Sequence, residues 1–290
     1  MTWKRARPYL LTEKEASGRI GEIFDEIKQA LGVPYVNMLF EALASYPAFF
    51  VLFWATAKPA LHTQEFFIYS ERLGAEAYTR MHNYFAVPPL RSNAAAANHS
   101  TEAQAELQET VELYHYNYSV LLLLVAALVY AFEHPGTRIR EGTPVAIDSR
   151  YLKQPILVEE DEAPLATRRI YDDIKRTLRT PFLNTCYMNF GRWPDFLGVF
   201  WESLKPLLRT PLYEHNRLAL RDSALALASS LPKPLQLSNS QMEEAGVSAH
   251  DIDSVIQLSE SFLNLTSKQA LNISFAKIGL EDRMPLELAA

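Results

Sequence analysis

The chain has 290 residues, 48% of them hydrophobic, which is enough to bury one large core or two ordinary ones. Its net charge of −6 offers no broad basic surface for neutralising phosphates, so nucleic acid is not an expected partner. A single cysteine, Cys186, excludes an intramolecular disulfide and a cysteine-built zinc site, and ten glycines are few for a glycine-punctuated dinucleotide fold.

The N-terminal MTWKRARPYLLTEKEASG follows its basic residues with a proline and then charges, so no secretion signal is expected and a cytoplasmic location is. Residues 13–31 set Ile20, Ile23, Phe24, Ile27 and Leu31 at helical spacing, with Asp25, Glu26, Lys28 and Gln29 opposite, predicting an amphipathic helix. Gly32 fits just past its end, Pro34 imposes an extended approach to the next segment, and Asn37 falls at or near that segment's cap. Residues 38–58 are apolar nearly all round, and Pro47 predicts a break or kink within them. Helices follow at 63–82 and 101–132, separated by a solvated loop at 87–100. The longest apolar run, 120–132, has thirteen residues, short of the roughly twenty that span a bilayer. It reads as a buried central helix, and no membrane partner is expected.

Residues 133–161 contain Pro135, Pro144 and Pro155 and have no helical period, which makes them an irregular connection long enough to strap one half to the other. Helices are predicted again at 162–178, 184–207, 211–229 and 248–278, with a loop at 231–247. The resulting division is a first helical repeat at 1–132, a linker at 133–161 and a second helical repeat at 162–290.

The second half restates the first. Residues 170–208 align without a gap on 23–61, at an offset of 170 − 23 = 147, with 14 identities in 39 positions. They include Asp25/Asp172, Lys28/Lys175, Pro34/Pro181, Asn37/Asn184, Pro47/Pro194, Trp54/Trp201 and Lys58/Lys205. The same offset sets Asn117 opposite Asn264, since 117 + 147 = 264. A period near half the chain predicts an all-α fold of two tandem helical repeats, an intramolecular pseudo-dimer about an approximate twofold axis, with the ligand at that axis.

Two asparagine pairs are the polar candidates. Asn37 and Asn184 suit helix N-caps, whereas Asn117 lies in a strongly apolar helix, where a buried amide costs free energy unless paired. Aromatic residues crowd the same places: Tyr35, Phe40, Phe182, Tyr187, and Tyr114, Tyr116 and Tyr118 around Asn117. Amides among aromatics describe a small-molecule pocket, although a stripe of this kind is also what a core looks like. No GxGxxG, P-loop, HExxH, GxSxG or CxxC occurs, and the seven histidines show no i, i+4 pairing, so neither cofactor nor metal is expected.

The I-x-D-x-I-K segment leading to the V-P-Y-V turn, the W-P of the second copy and the F/Y-N-Y segment before an apolar helix resemble the group I 2-haloacid dehalogenases, which act on both enantiomers. That resemblance implies an all-α pseudo-dimer, a homodimer in solution and a small carboxylic acid as substrate. It further implies an aspartate in the second-repeat turn that activates water for direct displacement of halide. Carried over, that aspartate falls on Asn184 from the proline, or nearer Cys186 from Trp193-Pro194. The pocket tryptophan and phenylalanine become Tyr35 and Met38, Asn117 matches the F/Y-N-Y asparagine, and the water-holding asparagine falls on Val120. Asn184 therefore takes the catalytic position, with Tyr35, Asn37, Met38, Asn117, Phe182, Leu183, Tyr187 and Asn264 as the substrate-binding set. An amide is essentially non-basic, so the family reaction is not expected from Asn184. Two other readings stand beside this one. The first is a helical protein of the AhpD and carboxymuconolactone decarboxylase type lacking the redox cysteines. The second is a non-enzymatic binding or oligomerisation module with a dry interface between repeats.

Overall fold

A computed structural model describes residues 9–93, 100–147, 151 and 153–281. Part of the predicted loop at 87–100, part of the linker at 133–161 and both chain ends lie outside the described residues. Within them the protein is all-helical, with one isolated antiparallel bridge between Thr63 and Pro144 and no strand.

Helix α1 (Gly18–Leu31) ends where Gly32 turns left-handed at φ 62°, its amide donating back to carbonyls of the last turn. Asn37 caps α2 (Met38–Leu43) by accepting from the Leu39 amide at 3.0 Å. Pro47, placed by the sequence as a break, is the first residue of α3 (Pro47–Leu61), where a missing N–H costs nothing. Next come α4 (Gln64–Tyr84), the short α5 (Leu90–Asn93) and α6 (Thr101–Glu133). The second half supplies α7 (Leu165–Leu178), α8 (Thr185–Phe190), α9 (Pro194–Leu204), a 3₁₀ turn (Leu207–Arg209) and α10 (Pro211–Ser229), followed by α11 (Asn239–Glu244) and α12 (Ala249–Leu280).

The element boundaries keep the offset read in the sequence. Both ends of α1 and α7, and both ends of α2 and α8, are 147 residues apart, as 165 − 18 and 190 − 43 show. Identical residues make identical bonds. Trp54 Nε1 and Lys58 Nζ both donate to Glu26, at 2.7 and 2.8 Å; Trp201 Nε1 and Lys205 Nζ both donate to Asp173, at 2.8 and 2.6 Å. The bonds from Lys58 and Trp54, with Arg19 beside them, hold the Glu26 carboxyl down at about 2. In each half this triad locks the third helix onto the first.

Two differences from the sequence reading have local causes. The predicted loop at 231–247 contains α11, nucleated by a capping box in which Ser238 and Gln241 satisfy each other's backbone amides. The predicted helix at 184–207 is divided into α8, α9 and the 3₁₀ turn, because Pro194 and Pro206 lack the amides that would continue it.

The core is built on α6 and α12, which pack extensively on each other, with α4 and α10 beside them. Helix α6 is long and apolar enough to cross a membrane, yet 78% of its most apolar window is buried inside the protein. Its apolar surface is taken up by neighbouring helices.

Candidate functional site

The turns after α1 and α7 converge on one cavity of about 930 Å³. Each turn bends at its proline, Pro34 or Pro181, and presents its next residues before a short helix begins. The wall is built from positions 147 apart: Tyr35 with Phe182, Val36 with Leu183, Met38 with Thr185, and Glu41 with Met188. Its remaining side follows the same rule, with Leu10, Thr12 and Glu13 from the N-terminal arm matched by Leu157, Glu159 and Glu160 from the linker. Both strips are pinned alike: the Leu11 amide donates to the Glu41 carbonyl at 3.1 Å, and the Val158 amide to the Met188 carbonyl at 3.1 Å. Asn189 Nδ2 also holds the Ile156 carbonyl at 2.9 Å, and the Gln154 side chain reaches the Pro34 carbonyl, so the linker does touch both halves.

Of the residues singled out in the sequence, Tyr35, Met38, Phe182 and Leu183 line this cavity. The four asparagines do not share its wall. Asn37 is spent on its cap. Asn117, buried in α6, donates to the Tyr35 hydroxyl at 2.5 Å and so fixes a wall residue from behind. Asn184 makes no cap bond; its Oδ1 accepts from Gln269 Nε2 of α12 at 3.1 Å. Asn264 lies apart, donating to the Glu260 carbonyl at 2.8 Å and accepting from Arg217 at 3.1 Å, because its face of α12 turns toward α10. Tyr187 is buried against Asn272, whose Nδ2 donates to the Tyr187 hydroxyl at 3.0 Å while its Oδ1 accepts from Tyr213 at 2.7 Å.

A polar layer therefore lies under the wall: Tyr118, one of the aromatics around Asn117, belongs to it, and so do Gln269 and Asn272, which the sequence alone did not single out. The signal was available for two: Gln269 and Asn272 are amides one turn apart in an apolar helix, the same anomaly that drew notice to Asn117. Cys186 sits in this layer with its sulfur 3.3 Å from the Tyr118 hydroxyl and 3.8 Å from Gln269 Oε1. Burial pushes its thiol up to about 12, which leaves it protonated and inert near neutrality.

The cavity's charges divide into two kinds. Glu13 is held by Lys28 at 2.7 Å and by the Val36 amide at 3.1 Å, Glu160 by Lys175, and Glu15 by Thr12. The side-chain carboxyls of Glu41 and Glu159 have no hydrogen-bond or ion-pair partner among the described residues. Burial, reinforced by Glu13, Glu15 and Glu159, pushes the Glu41 carboxyl up to about 7, and burial likewise raises Glu159. Among the described residues Lys14 is the cation on this wall. Among the described residues no three His, Cys, Asp or Glu side chains gather as a metal site would require.

Comparison with known proteins identifies the fold and the family. The family model described as "Halocarboxylic acid dehydrogenase DehI" matches residues 34–187, which include both turns and the linker. An (R)-2-haloacid dehalogenase of Pseudomonas putida is 27% identical over 271 residues, covering 91% of this chain and 90% of that protein. A second protein of that name, from Rhizobium sp. (strain NHG3), is 29% identical over 78% of this chain and 88% of its own length. Among solved structures, a D-2-haloacid dehalogenase mutant in complex with D-2-CPA superposes with a TM-score of 0.89 at 25% identity, covering 96% of this chain and 98% of that one. A D-2-haloacid dehalogenase complex with L-LA gives 0.86 at 25% identity, over 97% and 100%. With a family match over more than half its length and a fold shared end to end, the chain belongs to the DehI family of 2-haloacid dehalogenases.

Proposed function

We propose that this protein binds a small 2-substituted carboxylic acid in the cavity between its two turns, and that the second turn does not supply the proton acceptor for any reaction there. The observation that supports this reading is the wall itself, seven pairs of positions 147 apart enclosing one space. A pocket placed where two copies of one motif meet is the arrangement that the pseudo-dimer reading requires. Tyr35, Met38, Phe182 and Leu183 suit the apolar body of such an acid, the Thr185 hydroxyl offers a hydrogen bond, and Lys14 offers a positive charge. Glu13 and Glu160 are neutralised by their lysines, and the raised carboxyl of Glu41 makes the wall less negative near neutrality than its composition implies.

Where the family resemblance puts the activating aspartate, this chain has Asn184 and Cys186. The first is an amide tied to Gln269, and the second is a thiol kept protonated by burial. Neither accepts a proton from water near pH 7. The open cavity also favours this reading over a purely structural module, which requires a dry, closed interface between repeats.

Binding is tested by calorimetry and saturation-transfer NMR with racemic 2-chloropropionate and 2-hydroxypropionate. The racemates are used because relatives are named both for (R) substrates and for configuration inversion. The expected result is saturable binding that weakens at least tenfold in Tyr35→Ala. No binding of either acid to the natural chain would overturn the proposal.

A further inference from the structure

We propose that Glu41 is the general base of this cavity, so that water activation has crossed from the second repeat to the first. The inference rests on the reading of the cavity as a small-acid site and deepens it.

The two turns and the helices that follow them give the wall eight residues in four pairs, and Glu41 is the one carboxylate among the eight. Its mate across the offset of 147 is Met188, so the two halves present chemically different groups from equivalent places. Its peptide carbonyl receives the Leu11 amide, which fixes the backbone, while its carboxyl has no partner among the described residues. The neighbouring acids differ: Glu13, Glu15 and Glu160 are committed to lysine, threonine and backbone donors, and Glu159 stands on the linker strip rather than on a helix. An unneutralised carboxylate in a part-buried cavity costs free energy, and such groups concentrate where a proton must be moved. The groups that act on Glu41 are Glu13 and Glu15 of the arm and Glu159 of the strip, all acidic. Lys14 acts on Glu159. Burial first, and then the three neighbouring carboxylates, set Glu41 at about 7, the range in which a carboxylate is both deprotonated enough and basic enough to serve.

In the step, the Glu41 carboxylate takes a proton from a water molecule as that water's oxygen bonds to the halogen-bearing carbon. The carbon–halogen bond breaks, halide departs with the electron pair, and a 2-hydroxy acid remains. Protonated Glu41 then returns its proton to solvent.

The test is chloride release from racemic 2-chloropropionate by the full chain, with acid binding measured in parallel. The expected result is release whose kcat rises about tenfold per pH unit up to about 7 and then levels. Over the same interval KM should increase, because the ionised wall repels the acid. Glu41→Gln should lower kcat by about 100-fold or more while binding persists. Glu41→Met, which copies the opposite repeat, gives the same loss and serves if the first variant folds poorly. Release unchanged in both variants, or no release by a natural chain that binds the acid, overturns the role of Glu41 and leaves the binding reading in place. Failure of the natural chain to bind overturns both.

Discussion

A buried carboxyl with a raised pKa leaves a mark on stability as well as on chemistry. The Glu41 carboxyl is at about 7 in the folded protein and near the ordinary glutamate value of 4.5 when unfolded. Between those values the folded state holds more protons than the unfolded state, so stability falls as pH rises from about 4.5 to about 7, and the penalty is fully present above that. Removing the charge removes the penalty. Glu41→Gln is therefore expected to be more stable than the natural chain at pH 8, by on the order of 2 kcal/mol, with the gain fading by about pH 4.5. Urea titrations at the two pH values measure it. A variant less stable than the natural chain at pH 8 would mean that Glu41 has a stabilising partner. A residue that costs stability and abolishes turnover when replaced is doing chemistry, and a purely structural residue does not behave that way.

Among elements, the paired helix ends of α1 and α7 offer an internal comparison. The first ends on Gly32 at φ 62° and the second on Arg179 at φ 57°, with 179 − 32 = 147. The conformation belongs to the motif; only the first copy has the residue that adopts it without crowding at Cβ. Arg179→Gly is expected to stabilise the protein by about 0.5–1 kcal/mol, and Gly32→Ala to destabilise it by about 1 kcal/mol. Thermal melts of both variants check this, and effects of like sign would contradict it. The elements that escaped the sequence reading are short. Helices α5 and α11 are too brief to show a hydrophobic period, and the Ser238–Gln241 capping box was the sole local mark of the second.

In the whole molecule, the repeats depend on one another. The long middle of α6, from Asn117 to Val129, is buried, and α12 and α10 of the other half supply much of what covers it. Residues 1–147 produced alone would expose that apolar face, far more than a soluble monomer tolerates. They are expected to self-associate and to lack a cooperative melt, while adding residues 148–290 should restore a folded 1:1 species. Size exclusion with light scattering and circular dichroism decide it; a cooperative monomer of 1–147 would show that each half has its own complete core.

The repeat, the helical class and the wall residues Tyr35, Met38, Phe182 and Leu183 could be read from the sequence, because each follows from local signals: an offset of 147, a hydrophobic period, a proline fixing a turn. The partners of those residues could not. Asn184 meets Gln269 and Tyr187 meets Asn272, each 85 positions away, and only the packing of α12 chooses which face of that helix supplies the amide. The offset put Asn264 opposite Asn117, yet α10 draws Asn264 away through Arg217. Glu41 shows the division most plainly. Its presence in an apolar stretch is a fact of sequence, whereas the want of a partner for its carboxyl among the described residues, on which the proposed role rests, depends on which charges the fold brings near it and which it pairs elsewhere.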